Sequence, residues 1–250
     1  MSERTTTIDD AEVEKFSKIA AEWWDPFGKF KPLHKFNPIR LALIRDTLCA
    51  HFGRDPMEKR PLERLRLIDI GCGGGLVSEP MCRLGAQMVS IDAAERNVKT
   101  ALAHAAESGL DIDYRHTSVE DLLASGEPPF DAVLNLEVVE HVADVDLFLG
   151  SSANLVKPGG MMAVATINRT AKALLTAKIG AEYILRWLPA GTHDPRKFVK
   201  PEEVRRALES RGLTISAEHG VTYQPLLDAW RVTADLSVNY MMFAEKPIAN

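Results

Sequence analysis

The sequence predicts an α/β fold built on a mostly parallel, seven-stranded sheet with helices on both faces and an antiparallel C-terminal edge. Three observations lead to this prediction. Short apolar segments alternate with helical patterns between residues 66 and 167, as parallel strands joined by crossover helices require. A run of glycines separates the first of these strands from the helix that follows it. Beyond residue 201 the alternation stops, and two long β-like segments follow.

The central region, residues 61–168, is predicted to be a cofactor-binding core. Its strands are expected at residues 66–70, 87–92, 112–115, 130–136 and 161–167, and its helices at 77–84, 95–108 and 145–155. Ligands of open parallel sheets bind outside the carboxyl ends of the strands. The residues that follow each strand are therefore the first candidates for a site.

The N-terminal region, residues 1–60, is predicted to form a helical cap. One helix is expected over residues 9–24, with Asp9 placed at its amino end, where a carboxylate is favourable. A Pro-, Gly- and aromatic-rich loop follows. A second helix is expected over residues 38–52, with Pro38 at its start.

The C-terminal third completes a single domain that spans residues 1–250. Residues 169–200 are expected to form a lid or a membrane-facing insertion. Residues 201–250 are predicted to close the sheet, with an antiparallel pair of strands near 213–223 and 232–244.

Composition limits the class of protein. The 30 basic and 35 acidic residues give a net charge of −5, which argues against a nucleic-acid partner bound through its phosphates. Three cysteines without zinc-type spacing suit a reducing cytoplasm. The polar N-terminus does not resemble a secretory signal, and the chain lacks a run of about 18 apolar residues. A cytoplasmic protein, at most peripherally bound to a membrane, is expected.

The sharpest local signal is the segment from Asp69 to Gly75 (DIGCGGG), between a predicted strand and a predicted helix. Gly71 and Gly73 allow a tight turn and a close approach to a ligand. Leu76 stands where the fingerprint of nicotinamide dehydrogenases needs its third small residue. Asp69 suits a cationic ligand without phosphate, and Asp92 can accept both ribose hydroxyls. The pattern favours S-adenosylmethionine over NAD.

Two further stretches are candidates for the same ligand. Val119 and Glu120 follow the third predicted strand, where backbone and an acid can meet the adenine. Leu136 ends the fourth strand and is expected to line the methionine side of the crevice, although an ordinary core position explains it equally well.

Longer motifs carry a family resemblance. Residues 137–142 (EVVEHV) and 155–160 (LVKPGG) resemble class I methyltransferases in general, whose Rossmann-like fold is the expected one. The more specific motifs are residues 23–25 (WWD), 30–34 (FKPLH), 37–40 (NPIR), 180–186 (GAEYILR), 191–194 (GTHD), 197–198 (KF) and 238–241 (VNYM). These resemble the ubiquinone biosynthesis O-methyltransferases, over nearly the whole chain.

This resemblance implies the substrate and part of the site. The family methylates phenolic hydroxyls of polyprenylated ring precursors, 2-polyprenyl-6-hydroxyphenol and 3-demethylubiquinol, at two steps of one pathway. By position, its cofactor contacts fall on Arg40, Gly71, Asp92 and Leu136. The alternatives are a methyltransferase of another small phenol or acid, and a non-catalytic cofactor-binding subunit of a biosynthetic complex.

The cluster of Glu137, Glu140 and His141 leaves three roles open. If the segment is helical, all three side chains share one face and can bind Mg²⁺ or another divalent cation, as eukaryotic relatives are thought to do. The cation would hold a catechol and lower the pKa of its attacking hydroxyl. Alternatively, His141 acts as a metal-free general base oriented by a Glu. The third role is structural.

Residues 169–188 are predicted to form an amphipathic helix. Four basic residues and one acidic residue flank a broad apolar face that includes Trp187. This pattern is typical of an interfacial helix, although a lid packed on the core also explains it. Because a polyprenylated substrate lies in a bilayer, we expect peripheral association with the inner membrane. Other ubiquinone-biosynthesis enzymes are possible partners.

Overall fold

The sheet of this computed structural model, which describes residues 6–174 and 195–248, has eight strands. They are β1 (Arg66–Ile70), β2 (Gln87–Asp92), β3 (Asp113–His116), β4 (Phe130–Leu136), β5 (Val156–Ile167), β6 (Thr214–Gln224), β7 (Ala229–Thr233) and β8 (Asn239–Glu245). Their order in the sheet is β3-β2-β1-β4-β5-β8-β6-β7. Strands β1 to β5 are parallel, and β8, β6 and β7 pair antiparallel. The predicted parallel sheet with an antiparallel edge is confirmed.

The strand count differs from the predicted seven because the segment 232–244 is two strands. A turn separates them, in which Asp235 accepts from the Ser237 backbone N–H and Thr233 accepts from that of Asp235. Asp and Ser side chains stabilise such turns by bonding to nearby backbone. Strand β7 is thereby left as an additional strand at the edge.

Helices cover both faces of the sheet. They are α1 (Asp10–Ile19), α2 (Lys31–His51), α3 (Ser78–Arg83), α4 (Glu95–Glu107), α5 (Val119–Ala124), α6 (Val145–Asn154), α7 (Ala171–Ala173) and α8 (Pro201–Glu209). One buried apolar cluster joins the sheet to α2, α3 and α4, and a second joins it to α5, α6 and α8. Alternate residues of a strand enter opposite clusters, as with Leu67 and Ile68 of β1. The apolar strands are thus buried from both sides.

The start of α2 is the main correction to the predicted elements. The helix begins at Lys31, and Pro38 lies inside it rather than at its start. An interior proline removes one backbone hydrogen bond, which usually ends a helix. Here Phe36, Ile44 and Leu48 are buried in the core, and this packing outweighs the lost bond.

The N-terminal helix α1 is shorter than expected but starts where predicted. Asp9 caps it by accepting hydrogen bonds from the backbone N–H groups of Ala11 and Glu12. A short 3-10 turn, Ala20–Glu22, continues its direction. In the two described ranges, the helices are all too short or too polar to cross a membrane.

Candidate active site

A cavity of about 650 Å³ opens at the carboxyl ends of β1, β2 and β4. Of the residues predicted for the site, Arg40, Asp69, Gly71, Gly73, Asp92, Val119, Leu136, Glu137, Glu140 and His141 line it, whereas Glu120 lies just outside the lining. The walls also contain side chains from α1, the following turn and the start of α2. The volume suits a small molecule, since such sites span roughly 300–1,000 Å³.

The glycine loop needs glycine for its backbone and for space. Gly71, Gly73 and Gly75 have φ angles of +73°, +55° and +89°. A Cβ on Gly73 would lie 2.4 Å from Cζ2 of Trp23, and one on Gly71 would lie 2.5 Å from Cγ2 of Val138. Any larger residue would strain the backbone and force a neighbouring side chain to move, so the geometry favours glycine at these positions.

Two tryptophans from the N-terminal region pack on this loop. The indole Nε1 of Trp23 donates to Asn97 Oδ1 at 2.9 Å, and that of Trp24 donates to the Gly74 carbonyl at 2.8 Å. Trp24 also stacks on His104, with ring centroids 3.5 Å apart. Trp23 also lines the cavity, so the N-terminal region both packs on the loop and contributes to the wall of the site.

The bond from Trp24 gives a first prediction. Trp24→Phe keeps the ring but leaves the Gly74 carbonyl without its donor, at a cost of about 1 kcal/mol or about fivefold in affinity. We expect weaker binding of S-adenosylmethionine by isothermal titration. Trp230→Phe is the control, because Nε1 of Trp230 has no hydrogen-bond partner in the described part of the chain. Equal losses in both variants would contradict this role for Trp24.

Asp92 at the end of β2 is preorganised by hydrogen bonds. Its Oδ2 accepts from the Gly73 N–H at 2.9 Å, and its Oδ1 accepts from the Ala94 N–H at 2.7 Å and from Asn97 Nδ2 at 3.2 Å. Burial raises the pKa of this carboxyl, and the two backbone bonds act against that rise. These donors hold the side chain against the cavity, the place at which ribose hydroxyls are predicted.

Buried Arg40 and Asp69 and partly buried Glu137 form a group of charges in the wall of the cavity. Burial raises the pKa of Asp69 to about 6, against a hydrogen bond from Ser78 and the charge of Arg40. Burial lowers the pKa of Arg40, while the charges of Glu137 and Asp69 oppose this. Arg40 Nε donates to Asn37 Oδ1 at 2.7 Å. Both ends of a zwitterionic amino-acid group can find an opposite charge here.

The adenine candidates lie at the start of α5. Val119, its first residue, is buried and lines the cavity. Glu120 Oε1 accepts from Thr7 Oγ1 at 2.8 Å, and its Oε2 is buried with no partner in the ranges described. Glu120 is therefore turned toward the N-terminal segment rather than into the cavity. Leu136 is buried at the end of β4 and contributes to the cavity wall.

The expected shared face of Glu137, Glu140 and His141 is wrong. Glu137 has a positive φ of +58°, and only Val139–His141 is helical, as one 3-10 turn. Glu137 and Glu140 are hydrogen-bonded to each other, whereas His141 is turned to Glu12 on α1. In residues 6–174 and 195–248, no group of three or more His, Cys, Asp and Glu side chains is placed to hold a metal ion.

The acids of this cluster point inward. Glu140 is buried, and its Oε2 accepts from Thr166 Oγ1 at 2.7 Å. Burial, together with the charge of Glu137, raises the pKa of Glu140 to about 8. Burial also raises the pKa of Glu137, which is hydrogen-bonded to Glu140. Burial therefore favours the protonated form of both carboxyls, and the charge of each acts on the other.

His141 makes a contact that sequence reasoning missed. Its Nδ1 lies 3.0 Å from Glu12 Oε2 on α1, and Lys197 Nζ lies 3.0 Å from Glu12 Oε1. Phe16 meets the imidazole edge-on, with centroids 5.0 Å apart. Glu12 is 129 residues from His141 in sequence, and no local motif marks the pair.

Comparison with known proteins bears on this site. A family model described as a methyltransferase domain matches residues 68–164. A ubiquinone biosynthesis O-methyltransferase of a Chelativorans species is 60% identical over 246 residues, covering 98% of this chain and 97% of the relative. One from Brucella anthropi is 60% identical over 242 residues, covering 97% of each.

Solved structures share the fold at low identity. Magnesium protoporphyrin IX methyltransferase from Synechocystis PCC 6803 with bound SAM has a TM-score of 0.62 and 16% identity, over 94% of this chain and 97% of that one. A methyltransferase from Clostridium acetobutylicum described as S-adenosylmethionine-dependent has a TM-score of 0.60 at 12% identity, over 94% and 98%. At these identities the likeness concerns the fold alone.

Proposed function

The chain belongs to the ubiquinone biosynthesis O-methyltransferases, and from this premise we propose that its cavity holds S-adenosylmethionine against the ring of a polyprenylated phenol. It is an S-adenosylmethionine-dependent O-methyltransferase. We assign it both hydroxyl methylations, on 2-polyprenyl-6-hydroxyphenol and on 3-demethylubiquinol. The observation that carries the proposal is that one cavity collects the glycine loop, buried opposite charges and an imidazole. Residues 1–250 act as one domain, with 1–60 capping the core 61–168.

The buried side chains fit the proposed cofactor, whose sulfonium supplies an electrophilic methyl group. Asp92, held by the Gly73 N–H, accepts the ribose hydroxyls. Arg40 binds the carboxylate of the methionine part, and Asp69 attracts its positive charges. The remaining proposed contacts come from Gly71, Val119, Glu120 and Leu136. The site suits a positively charged ligand without phosphate, because two of its buried side chains, Asp69 and Asp92, are acids.

His141 is the proposed general base. An unperturbed phenol has a pKa of about 10, so proton removal at neutral pH accelerates attack, typically by about 10² to 10⁴-fold. The imidazole lines the cavity, and its Nδ1 is occupied by Glu12, which leaves Nε2 for a substrate hydroxyl. The bound cofactor would supply the methyl group, with its sulfur leaving as a neutral thioether, while His141 would take the hydroxyl proton and the residues around it would supply orientation.

A divalent cation is the alternative activator that the sequence predicts. Glu137 Oε1 is buried with no hydrogen-bond partner among the described residues, as a vacant ligand would be. Glu140, however, accepts a hydrogen bond from Thr166, and His141 is bound to Glu12. As arranged, the three residues do not fit a bound cation, and no step is assigned to one.

The test is methyl transfer from S-adenosylmethionine to a short-tailed demethylated ubiquinol, followed by mass spectrometry with and without EDTA. We expect a methylated product in both arms. Product lost on chelation and restored by Mg²⁺ would overturn the metal-free assignment. No product in either arm, with cofactor binding shown by titration, would favour a non-catalytic subunit or another substrate. Equal turnover of tail-free catechols would favour the broader phenol methyltransferase.

Peripheral association with the inner membrane from the cytoplasmic side is part of the proposal. Most of the predicted amphipathic helix lies outside the described residues. Of its basic residues, Arg169 pairs with Glu203, and Lys172 pairs with Asp235. Neither positive charge is therefore fully free to attract an anionic lipid.

The β6–β7 turn offers apolar surface for the same contact. Strand β6 runs in the direction of β5, because each pairs antiparallel with β8. The turn after Gln224 therefore lies at the edge of the sheet that carries the cavity. At this turn Leu226 is 100% exposed and Leu227 is 59% exposed. Adjacent exposed leucines on the edge of the sheet that carries the cavity suit shallow insertion into a bilayer.

We therefore predict that Leu226→Ser combined with Leu227→Ser reduces binding to vesicles of anionic and neutral lipid. Removal of two inserted leucines should weaken binding by about tenfold or more in a sedimentation assay. Met57→Ser is the control, since Met57 is 83% exposed but precedes β1, at the opposite edge of the sheet. Similar losses in both proteins, or none, would remove the turn from the proposed contact.

A further inference from the structure

Helix α1, which lies outside the sheet core, supplies a carboxylate to the imidazole of the cavity. Glu12 Oε2 and His141 Nδ1 are 3.0 Å apart, and their side chains are 17% and 16% exposed. A carboxylate can only accept at this distance, so Nδ1 carries the hydrogen and donates it. The opposite nitrogen, Nε2, then holds its lone pair toward the cavity in the neutral ring.

We propose that Glu12 is the positioning residue for His141, which sets its tautomer and orientation for proton removal from the substrate hydroxyl. This inference rests on the proposed role of His141 as the base. Glu12 need not touch the substrate in this role. A carboxylate behind an imidazole stabilises the imidazolium that forms when the ring takes the proton. It also keeps the ring oriented so that Nε2 can accept that proton.

Glu12 is itself fixed from a second side. Lys197 Nζ bridges Glu12 Oε1 and Asp9 Oδ2, each at 3.0 Å. The hydrogen bonds from His141 and Lys197 hold the pKa of Glu12 well below its usual range, so the carboxylate stays charged at neutral pH. Phe16, one turn along α1, packs against the ring edge of His141. The imidazole is thus restrained at Nδ1 and at its edge.

A purely structural role, in which the pair only clamps α1 to the core, is the competing explanation. Other contacts already hold this segment. The Thr7 carbonyl accepts from the Ala143 N–H at 2.9 Å, and Thr7 Oγ1 donates to Glu120. Trp23 anchors the other end through Asn97. A partly exposed ion pair adds at most about 1 kcal/mol to such docking, so α1 stays in place when Glu12 is replaced by Gln.

The test is a double-mutant cycle in the full-length chain with S-adenosylmethionine and the short-tailed demethylated ubiquinol. Glu12→Gln should lower kcat about 10- to 100-fold, with the cofactor affinity, the KM and the Tm nearly unchanged. In the His141→Gln background the same change should cost nothing further, because the two residues act as one unit. Lys197→Met should give a smaller loss of kcat that also vanishes in that background.

The matched control is Glu14→Gln, the same substitution on the same helix at a solvent-exposed pair with Lys18. It should leave kcat unchanged. Normal kcat for Glu12→Gln with slow His141→Gln, or equal losses from Glu12→Gln in both backgrounds, would overturn the inference and leave the base in place. Full activity in His141→Gln would overturn the base itself, and with it the role of Glu12.

Discussion

Gly73→Ala should reduce the affinity for S-adenosylmethionine by about 100-fold or more, the largest loss we expect from a single added methyl group. The φ of +55° at Gly73 already disfavours any residue with a Cβ, by about 1–2 kcal/mol. The added Cβ would also lie 2.4 Å from Cζ2 and 2.5 Å from Cη2 of Trp23, so the indole or the loop must move. Either movement disturbs the N–H that holds Asp92. Isothermal titration measures the loss.

Gly109→Ala separates the strain from the collision. Gly109 has a φ of +64°, close to that of Gly73, but its Cβ would meet no atom within 4 Å. This variant should lose about 1–2 kcal/mol of stability and bind the cofactor normally. If Gly73→Ala behaves in the same way, the tight packing of Trp23 on the loop has no part in cofactor binding.

Arg40→Gln should lower the free energy of unfolding by about 3 kcal/mol at pH 7.5, because it removes the cation that faces two buried acids. Asp69 already has a pKa raised to about 6 by burial, and Arg40 limits that rise. Arg40 also opposes the raised pKa of Glu137. Without it both acids keep their protons to higher pH in the folded state. Cofactor affinity should fall as well, since Arg40 is the proposed partner of the methionine carboxylate.

The stability loss of Arg40→Gln should depend on pH. When the folded variant binds more protons than the unfolded chain, its stability falls as pH rises. The unfolded chain binds almost the same number of protons in both proteins, so the deficit relative to the unmodified protein should begin to grow near pH 6, where Asp69 ionises in the presence of Arg40, and should shrink again on acidification. Urea unfolding at pH 5.0 and 7.5 measures it. The control is Arg45→Gln, on the same helix beside exposed Asp46, which should show no such trend. A stability deficit of Arg40→Gln that does not change with pH would contradict the prediction.

Features that depend on the local backbone conformation could be predicted from the sequence. The glycines at 71, 73 and 75 follow from φ angles that other residues resist, and Asp92 follows from the strand that ends there. Apolar segments of the right length placed the five parallel strands, because burial on both faces leaves little room for polar residues. The cap at Asp9 was equally local.

Elements that depend on distant packing were harder to predict. Pro38 is a sound helix start by local rules, yet the burial of Phe36 and its neighbours extends α2 back to Lys31. The segment 232–244 has continuous β character, but a short turn at Asp235 divides it. In both cases tertiary contacts or a single side-chain bond overrode the average propensity of the segment.

The sequence by itself determined the fold class, the family and most of the residues around the cavity, because each depends on short-range patterns or motifs. Only the tertiary structure decided how Glu137, Glu140 and His141 are used. Glu137 and Glu140 pair with each other, and Glu12 reaches His141 across 129 residues. Spacing along a chain sets the direction of side chains only within one regular element, so a pairing between a cap helix and a strand end comes from the packing that joins them.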